Sequence, residues 1–311
     1  MTVVAAPTPL RDILAPAKLN LFLHITGRRA DGYHLLQSVF MLIDWCDTLH
    51  LEWLANGEIR RVDVRPNANL PAEDLTVRAA RLLQQATGCP HGVQITLDKQ
   101  IPAEAGMGGG SSDAASCLIA LNSLWQLGLS RTQLATIGLQ LGADVPFFIQ
   151  GHNAWVEGIG EVITPIRLAR TPFVVVKPTS GVSTPHIFVS PSLQRNTKPA
   201  QLASFLIKET NKIDSVHGGP LESDFCELDM RSVLDFGHND LEPVAKTLCP
   251  DVAACTDWLT HQGLQGRMTG SGSAVFAPLW TSQALVPAPP GWIVRQCNSL
   301  STHPLVDWGC G

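Results

Sequence analysis

The feature that most limits how this chain can fold is a glycine-rich run at Gly106–Ser112 (GMGGGSS). It follows a strand pattern at Val93–Leu97, where alternate residues are apolar, and precedes a helical pattern at Ser112–Gln126. Glycines between a strand and a helix can adopt positive φ angles and bring bare backbone N–H groups close to a ligand. The first helical turn adds unpaired amides and the positive end of the helix dipole, so the arrangement favours phosphate binding.

The spacing of the glycines excludes two common nucleotide-binding loops. No Lys-Ser or Lys-Thr pair follows at the spacing of a P-loop, and Ser111 stands where a dinucleotide-binding fingerprint would have its third glycine. A flexible surface turn capped by Ser112 remains an alternative on the glycine count alone. Asp113 is expected to cap the helix, because a carboxylate aimed at the ligand would repel a phosphate.

The overall composition gives no general attraction for an anion. The formal net charge is −5, so a phosphate needs locally placed donors, and nothing indicates a nucleic-acid-binding surface. The eight cysteines show no CxxC pair and no Cys/His cluster at zinc spacing, which is typical of free thiols in a reducing compartment. No stretch approaches the roughly 18 uninterrupted apolar residues of a membrane span, and residues 1–15 do not resemble a signal peptide. We therefore expect a cytoplasmic protein with no membrane partner, no nucleic-acid partner and no metal-ligand cluster of its own.

The 311 residues are enough for two modest domains. Residues 1–14 are predicted to form a loose arm, and a domain boundary is expected near residues 163–172. Strands and helices do not alternate regularly along the chain, which favours the α+β class. Further elements are predicted at Lys18–Ile25 and Val174–Val176 (strands), at Glu73–Ala86, Ser130–Gly142 and Asp251–Gln262 (helices), and at Arg267–Ala277 (a turn that leads into a strand).

The segment Pro102–Ala115 resembles the central motif of the GHMP kinase superfamily, which includes galactokinase, homoserine kinase, mevalonate kinase and phosphomevalonate kinase. Counterparts of the other two motifs of that superfamily are Ala15–Leu21 and Met268–Ala274. The resemblance implies a two-domain fold. Residues 12–167 would form an N-terminal α/β domain like that of ribosomal protein S5, and residues 168–305 a C-terminal ferredoxin-like domain. It also implies ATP as the phosphoryl donor, with Mg²⁺ bound through ATP.

The same resemblance assigns the site that handles ATP. The positions of the catalytic pair are Lys18 and Asp144, with the aspartate as base. A carboxylate can take the proton of an acceptor hydroxyl, and a nearby cation keeps it ionised and stabilises growing negative charge. Spacing alone favours a turn-forming role for Asp144 and a solvated strand position for Lys18. Whether Asp144 abstracts the proton or only orients the hydroxyl stays open. The residues expected to bind ATP are Pro102, Ala103, Glu104, Ala105, Gly106, Met107, Gly108, Gly109, Gly110, Ser111, Ser112 and Lys99.

The segment Ile25–His34 is the best indicator of the acceptor. It resembles the branch of the superfamily that phosphorylates 4-diphosphocytidyl-2-C-methyl-D-erythritol (CDP-methylerythritol), where a tyrosine stacks on the cytosine and a histidine hydrogen-bonds its edge. Tyr33 and His34 match that pair. Phe188 is expected to cover the other face of the base, with ordinary core packing as the alternative, and each stacking contact is worth about 1–3 kcal/mol. The residues expected to bind the acceptor are Asn20, Tyr33, His34, Thr184 and Phe188.

Two other functions are alternatives to this predicted one. The chain could be another GHMP kinase, of the homoserine or mevalonate type or one that phosphorylates before a decarboxylation, or a catalytically silent nucleotide-binding protein. The presence of both Lys18 and Asp144 argues against a catalytically silent protein.

Two segments depart from the family pattern. The segment Ile207–Met230 matches no part of it, and Lys177-Pro178-Thr179 stands where the family has His-Pro-Gly. The expected partners are ATP and CDP-methylerythritol, bound by a monomer or a homodimer.

Overall fold

The computed structural model of the chain describes residues 7–64, 70–205, 226–281 and 283–308. The strands in these ranges are β1 (Leu10–Arg28), β2 (His34–Leu54), β3 (Ile59–Asp63), β4 (Gly92–Asp98), β5 (Ala154–Glu157), β6 (Val162–Leu168), β7 (Pro172–Lys177), β8 (Cys226–Leu228), β9 (Arg267–Met268), β10 (Val275–Pro278) and β11 (Ile293–Asn298). The helices are α1 (Leu75–Thr87), α2 (Gly109–Leu124), α3 (Arg131–Leu139), α4 (Val145–Gln150), α5 (Thr184–Val189), α6 (Met230–Phe236), α7 (Glu242–Leu248) and α8 (Pro250–Thr260). None of the helices in the described ranges has the length and apolar character needed to cross a membrane.

Two sheets form the frame of the structure. The larger has seven strands in the order β3-β4-β2-β5-β6-β8, with β1 paired to β2 as a long antiparallel ribbon. The pairs β3–β4 and β6–β8 are parallel, and the other pairs of this sheet are antiparallel. The smaller sheet is antiparallel, in the order β11-β7-β10-β9. Antiparallel sheets with helices packed on their faces are typical of the α+β class, as predicted.

The two-residue periodicity of the strands sorts their side chains into different core clusters. On β2, Phe40 lies in a cluster with α1–α4, whereas Met41 lies in a cluster shared with the smaller sheet. On β7, Val175 joins the cluster between the sheets, and Val176 lies with α7 and α8. The core is therefore built in layers, with helices on the two outer faces and the two sheets between them.

Helix α2 is the central helix of the first layer. Its residues 112–122 are all buried, which its many alanine, serine and cysteine side chains allow. It begins at Gly109, three residues before the predicted start at Ser112. Its N-cap residue, Gly108, has φ 69° and provides no side chain to cap the helix. The first-turn amides of α2 therefore remain available to a ligand.

Most predicted elements are confirmed, but the predicted N-terminal arm is wrong over residues 10–14, and residues 1–6 lie outside the described ranges. The patterns at residues 18–25 and 93–97 lie in β1 and β4, and those at residues 73–86, 130–142 and 251–262 correspond to α1, α3 and α8. Strand β1 already begins at Leu10, because Leu10 and Ile13 pair with Leu51 and Leu49 of β2. Of the unmatched segment Ile207–Met230, residues 207–225 lie outside the described ranges, and its end contributes β8.

Candidate functional site

Three segments that are distant in the sequence meet at the glycine run. The backbone N–H of Lys18 donates to the carbonyl oxygen of Met107 at 3.0 Å, and that of Ser273 donates to the carbonyl of Glu104 at 2.9 Å. The backbone of Gly106 lies so close to that of Thr269 that a Cβ added to the glycine would overlap the threonine carbonyl oxygen. The structure therefore brings the predicted motifs at residues 15–21, 102–115 and 268–274 together.

A cavity of about 650 Å³ opens beside this junction. Its wall contains residues 101–110 of the glycine run and the chain before it, and Lys99. Opposite lie the start of α1, residues 182–185, and Ser271 with Gly272. Gly106 and Gly108 both have φ 69°, the left-handed conformation that glycine adopts without strain. The cavity has the size of a ligand site, and its amides and the N-terminus of α2 suit a polyphosphate.

Two residues expected to bind ATP lie outside the described wall of this cavity. Ser111 lies beside Gly142, whose added Cβ would be 3.8 Å from the Ser111 Oγ. Ser112 is fully buried in the first turn of α2, and its hydroxyl has no hydrogen-bond partner among the described residues. Their roles toward ATP stay predictions.

Lys99 lies in the cavity wall, but its ammonium group is bonded to two carboxylates. It donates to Asp47 and, at 2.7 Å, to Oδ2 of Asp113. Burial would lower the pKa of Lys99, but the charges of Asp113 and Asp47 outweigh burial and raise it. Burial and the neighbouring Asp47 raise the pKa of Asp113 well above its usual value, although Lys99 opposes the rise. The expectation that Asp113 caps the helix is wrong, because Gly108 is the N-cap residue and Asp113 turns to Lys99.

Asp47 is a site residue that the sequence did not reveal. It is fully buried on β2 and accepts hydrogen bonds from the backbone N–H groups of Gln100 and Ile101, as well as from Lys99. These bonds fix the chain as it leaves β4 and enters the glycine run. A single aspartate inside a long strand carries no local pattern that identifies this contact.

The two candidate catalytic side chains face each other. Lys18 lies on β1 and is 4% exposed, and Asp144 lies directly before α4 and is 31% exposed. Lys18 Nζ is 3.7 Å from Asp144 Oδ2. Burial lowers the pKa of Lys18, and the charge and hydrogen bond of Asp144 partly offset that effect. Asp144 makes no side-chain capping bond to α4, so its carboxylate remains available to a hydroxyl group.

Asn20 and Gly108 fix the position of the Lys18 ammonium group. Asn20 Oδ1 accepts a hydrogen bond from Lys18 Nζ, and Asn20 Nδ2 donates to Ser38 Oγ at 2.9 Å. The Asn20 backbone N–H donates to Thr269 Oγ1 at 2.9 Å. A Cβ added to Gly108 would lie 3.3 Å from Lys18 Cε, so the glycine run passes directly against the lysine side chain. Asn20, expected near the acceptor, therefore orients the lysine.

Apart from Asn20, the residues expected to bind the acceptor fall into two places. The rings of His34 and Phe188 lie 5.0 Å apart between centroids, and Tyr33 beside them is 61% exposed. Burial and the cations Arg195 and Arg28 lower the pKa of His34. Thr184 lies instead in the wall of the glycine-run cavity, with its Oγ1 2.6 Å from Ser271 Oγ. Helix α5 carries Thr184 at its first position and Phe188 four residues later, so it connects the cavity to the aromatic pair.

Comparisons with known proteins show the family to which the chain belongs. Residues 74–152 match the GHMP kinases N terminal domain, and residues 221–286 match the GHMP kinases C terminal domain. The chain is 58% identical, over 96% of its length and 96% of the relative, to a 4-diphosphocytidyl-2-C-methyl-D-erythritol kinase of Polaromonas naphthalenivorans (strain CJ2). A crystal structure of a 4-(cytidine 5'-diphospho)-2C-methyl-D-erythritol kinase superposes with TM-score 0.71 and 30% identity, covering 92% of this chain and 98% of that one. A homoserine kinase from Cytophaga hutchinsonii shares the fold, with TM-score 0.67 and 14% identity over 97% of this chain and 98% of that one.

Proposed function

The chain belongs to the 4-diphosphocytidyl-2-C-methyl-D-erythritol kinases of the GHMP kinase superfamily, and we propose that it transfers the γ-phosphoryl group of ATP to the 2-hydroxyl of CDP-methylerythritol. The products are the 2-phosphate and ADP, in the non-mevalonate route to isoprenoid precursors. The observation that carries the proposal is the position of Lys18. Its ammonium group lies 3.7 Å from the Asp144 carboxylate, and its side chain packs against Gly108 of the glycine run.

The cavity of about 650 Å³ is the proposed ATP site. The phosphates would lie along Gly106–Gly110, where backbone amides and the N-terminus of α2 supply donors and partial positive charge. This local supply is needed because the chain as a whole has a formal net charge of −5. Lys99 lines the cavity but supplies no free positive charge to the phosphates, since Asp47 and Asp113 already bind its ammonium group.

Phosphoryl transfer to an alcohol depends mainly on position and electrostatics. In the proposed step the acceptor oxygen attacks the γ-phosphorus, and its proton moves to Asp144. The bond from the γ-phosphorus to the bridging oxygen breaks, and its electrons stay on the β-phosphate of ADP. Lys18 stabilises the charge on the transferring group, and Asn20 holds Lys18 in place for that interaction.

Magnesium would enter this site with ATP. The described residues contain no group of three or more His, Cys, Asp or Glu side chains arranged to hold a metal ion. The buried, unpartnered hydroxyl of Ser112 in the first turn of α2 is a neutral oxygen ligand of the kind Mg²⁺ accepts beside phosphate oxygens. The residues present therefore fit a metal held mainly by the nucleotide, where it would neutralise part of the phosphate charge.

The acceptor site is proposed around Tyr33, His34 and Phe188. The rings of His34 and Phe188 pack against each other, and Tyr33, which precedes His34 in the chain, is exposed. A planar base would therefore find aromatic surface and a hydrogen-bonding ring nitrogen here. Homoserine and mevalonate carry no base that would use these groups. This aromatic group is what favours a nucleotide-linked acceptor among the GHMP kinases.

The organisation of the enzyme is proposed as two domains, residues 12–167 and 168–305. Strands β1–β6 lie in the larger sheet, and β7, β9, β10 and β11 form the smaller sheet. Two segments depart from that division, since β8 joins the larger sheet and Leu305 packs in the cluster of α1–α4. We further propose a cytoplasmic monomer or homodimer. The free cysteines of the described ranges support a reducing compartment.

The test is turnover with a panel of acceptors. The protein is incubated with Mg-ATP and CDP-methylerythritol, homoserine or mevalonate, ADP release is followed, and the product is identified by ³¹P NMR. We expect turnover with CDP-methylerythritol alone. Tyr33→Ala should raise the KM for that acceptor and leave the KM for ATP within about twofold. Turnover of homoserine or mevalonate with none of the cytidine compound would contradict the proposal.

A further inference from the structure

Arg195 ties the aromatic pair to the segment that follows α5. Its Nε donates to His34 Nε2 at 3.1 Å. One terminal nitrogen donates to the carbonyl oxygens of Phe188 at 3.0 Å and Ser190 at 2.7 Å, and the other donates to the carbonyl of Leu193 at 3.1 Å. The half-buried guanidinium group of Arg195 therefore binds the backbone at the C-terminal end of α5 and connects it to His34 at the start of β2.

This contact decides which nitrogen of His34 carries a proton. A guanidinium group stays protonated and only donates hydrogen bonds, so His34 Nε2 must accept. The neutral imidazole then carries its proton on Nδ1 and presents a donor there. A doubly protonated ring would lose the bond from Arg195 and face its positive charge.

The segment that carries Arg195 is itself anchored. Two residues later, the Thr197 backbone N–H donates to the carbonyl of Ile25 on β1 at 3.0 Å, and Thr197 Oγ1 donates to the buried Asp240 at 2.7 Å. Arg195 therefore approaches His34 from a fixed backbone, and its contact with His34 is set by the fold.

We propose that Arg195 is a positioning residue for the acceptor, holding His34 with its proton on Nδ1 and Phe188 beside it. The site then offers one hydrogen-bond donor and one aromatic face to the pyrimidine base of the acceptor. The proposal rests on the proposed function, which supplies that base. Arg195 lies outside the described wall of the ATP cavity, so we expect its removal to act mainly on the acceptor.

Kinetics of Arg195→Met, Arg195→Lys and the exposed-arginine control Arg170→Met test the proposal. Arg195→Met removes the hydrogen bond to His34 together with the three to backbone carbonyl oxygens. We expect it to lower kcat/KM for CDP-methylerythritol about 10- to 100-fold, mostly through KM. The KM for ATP should stay within about twofold of wild type. Arg195→Lys keeps the charge and one donating nitrogen and should recover part of the loss, and Arg170→Met, at an exposed position, should behave as wild type. An equal loss toward both substrates, or none toward either, would overturn the proposal.

The pH dependence of kcat/KM for the acceptor is a second test. If Arg195 had only a general structural role, its replacement would not shift that dependence. The cations that act on His34 are Arg195, from the segment after α5, and Arg28, from the end of β1. Arg29 and Asp31, in the turn before His34, pair with each other at 2.7 Å. In the wild type, kcat/KM for the acceptor should fall as the pH drops through a His34 pKa below 6.5. In Arg195→Met that inflection should move to higher pH, and an unmoved inflection would contradict the proposal.

Nitrogen-15 NMR separates this inference from the proposed function, because it needs no turnover. Long-range ¹H–¹⁵N spectra, assigned with His34→Gln, should show the Nδ1–H tautomer for wild-type His34 and a mixture of tautomers for Arg195→Met. If the wild type shows that tautomer but does not turn over CDP-methylerythritol, the proposed function and the assignment of the base both fail. If it turns over the acceptor but His34 carries its proton on Nε2, the role of Arg195 alone is refuted.

Discussion

Lys18 Nζ lies 3.7 Å from Asp144 Oδ2, and we expect the two side chains to be coupled in catalysis. If the two act as one unit, with Asp144 receiving the proton and Lys18 stabilising the transferred group, then removing either side chain disables the other. Asp144→Asn keeps the shape of the side chain and removes its charge. Lys18→Met keeps most of the aliphatic stem that packs against Gly108 and removes the ammonium group.

The size of the coupling follows from the distance between the two charges. Opposite unit charges separated by 3.7 Å attract by about 4.5 kcal/mol at an effective dielectric constant of about 20. The Asp144 side chain is 31% exposed, so water and salt reduce this value. We take the screened coupling as about 2–3 kcal/mol, or about 30- to 150-fold in rate. Each single variant should lower kcat about 1,000-fold, since each removes a group that acts in the transition state. The double variant should then lower kcat about 10,000-fold, against about 1,000,000-fold for independent effects.

The assay is a double-mutant cycle on kcat with saturating ATP and CDP-methylerythritol. Residual rates this low require single-turnover measurements with high enzyme concentration. Binding of ATP, measured by calorimetry, and the thermal midpoint of each variant serve as controls for an intact site. Multiplicative effects in the cycle would mean that the two side chains act separately. Loss of ATP binding in Asp144→Asn would mean that Asp144 holds the nucleotide and is not the base.

Two further predictions test the glycine run and a buried histidine. Gly106→Ala puts a Cβ into the carbonyl of Thr269 at φ 69°, so the KM for ATP should rise at least about tenfold and the free energy of unfolding fall by about 2–4 kcal/mol. The control Gly88→Ala, at φ 66° with open space around the added Cβ, should cost about 1–2 kcal/mol and leave the KM for ATP unchanged. Burial, and then His238, lower the pKa of His24 to about 4. Because the unfolded chain binds this proton near pH 6.5, the stability of the wild type should fall by about 1–2 kcal/mol from pH 8 to pH 5 on account of His24. Denaturant unfolding of His24→Phe should lack that part of the pH dependence, and an identical slope in both proteins would contradict the assignment.

The parts of the site that could be predicted are those that a short stretch of consecutive residues identifies. A glycine run between a strand pattern and a helical pattern is read from about 30 consecutive residues, and the structure has β4, the loop and α2 in that order. The sequence pattern predicts the start of α2 three residues late, because the glycines at 109 and 110 have low helix propensity although they form its first turn. Lys18 and Asp144 were identified through the family motifs, and their separation of 3.7 Å required the fold.

The parts that could not be predicted depend on contacts between distant positions. Asp47 binds Lys99 and the backbone of Gln100, more than 50 positions away. Arg195 binds His34 from 161 positions away. The residue type and the local sequence around Asp47 and Arg195 give no indication of partners that lie so far away in the chain. The sequence indicates which groups can perform the chemistry, whereas tertiary contacts select the residues that orient them.

Of the two lysines beside the glycine run, Lys99 has a structural role and Lys18 takes part in the proposed reaction. Lys99 has two carboxylate partners, Asp47 and Asp113, and the raised pKa of Asp113 favours sharing of a proton within that group. Its positive charge is therefore neutralised whatever the state of the substrates. Lys18 has one carboxylate partner, and that partner is the proposed proton acceptor. When Asp144 takes the proton of the hydroxyl group, the pair changes from neutral to a net charge of +1. The positive charge of Lys18 thus becomes uncompensated as the phosphoryl group is transferred, so the pair binds the transition state more strongly than the ground state.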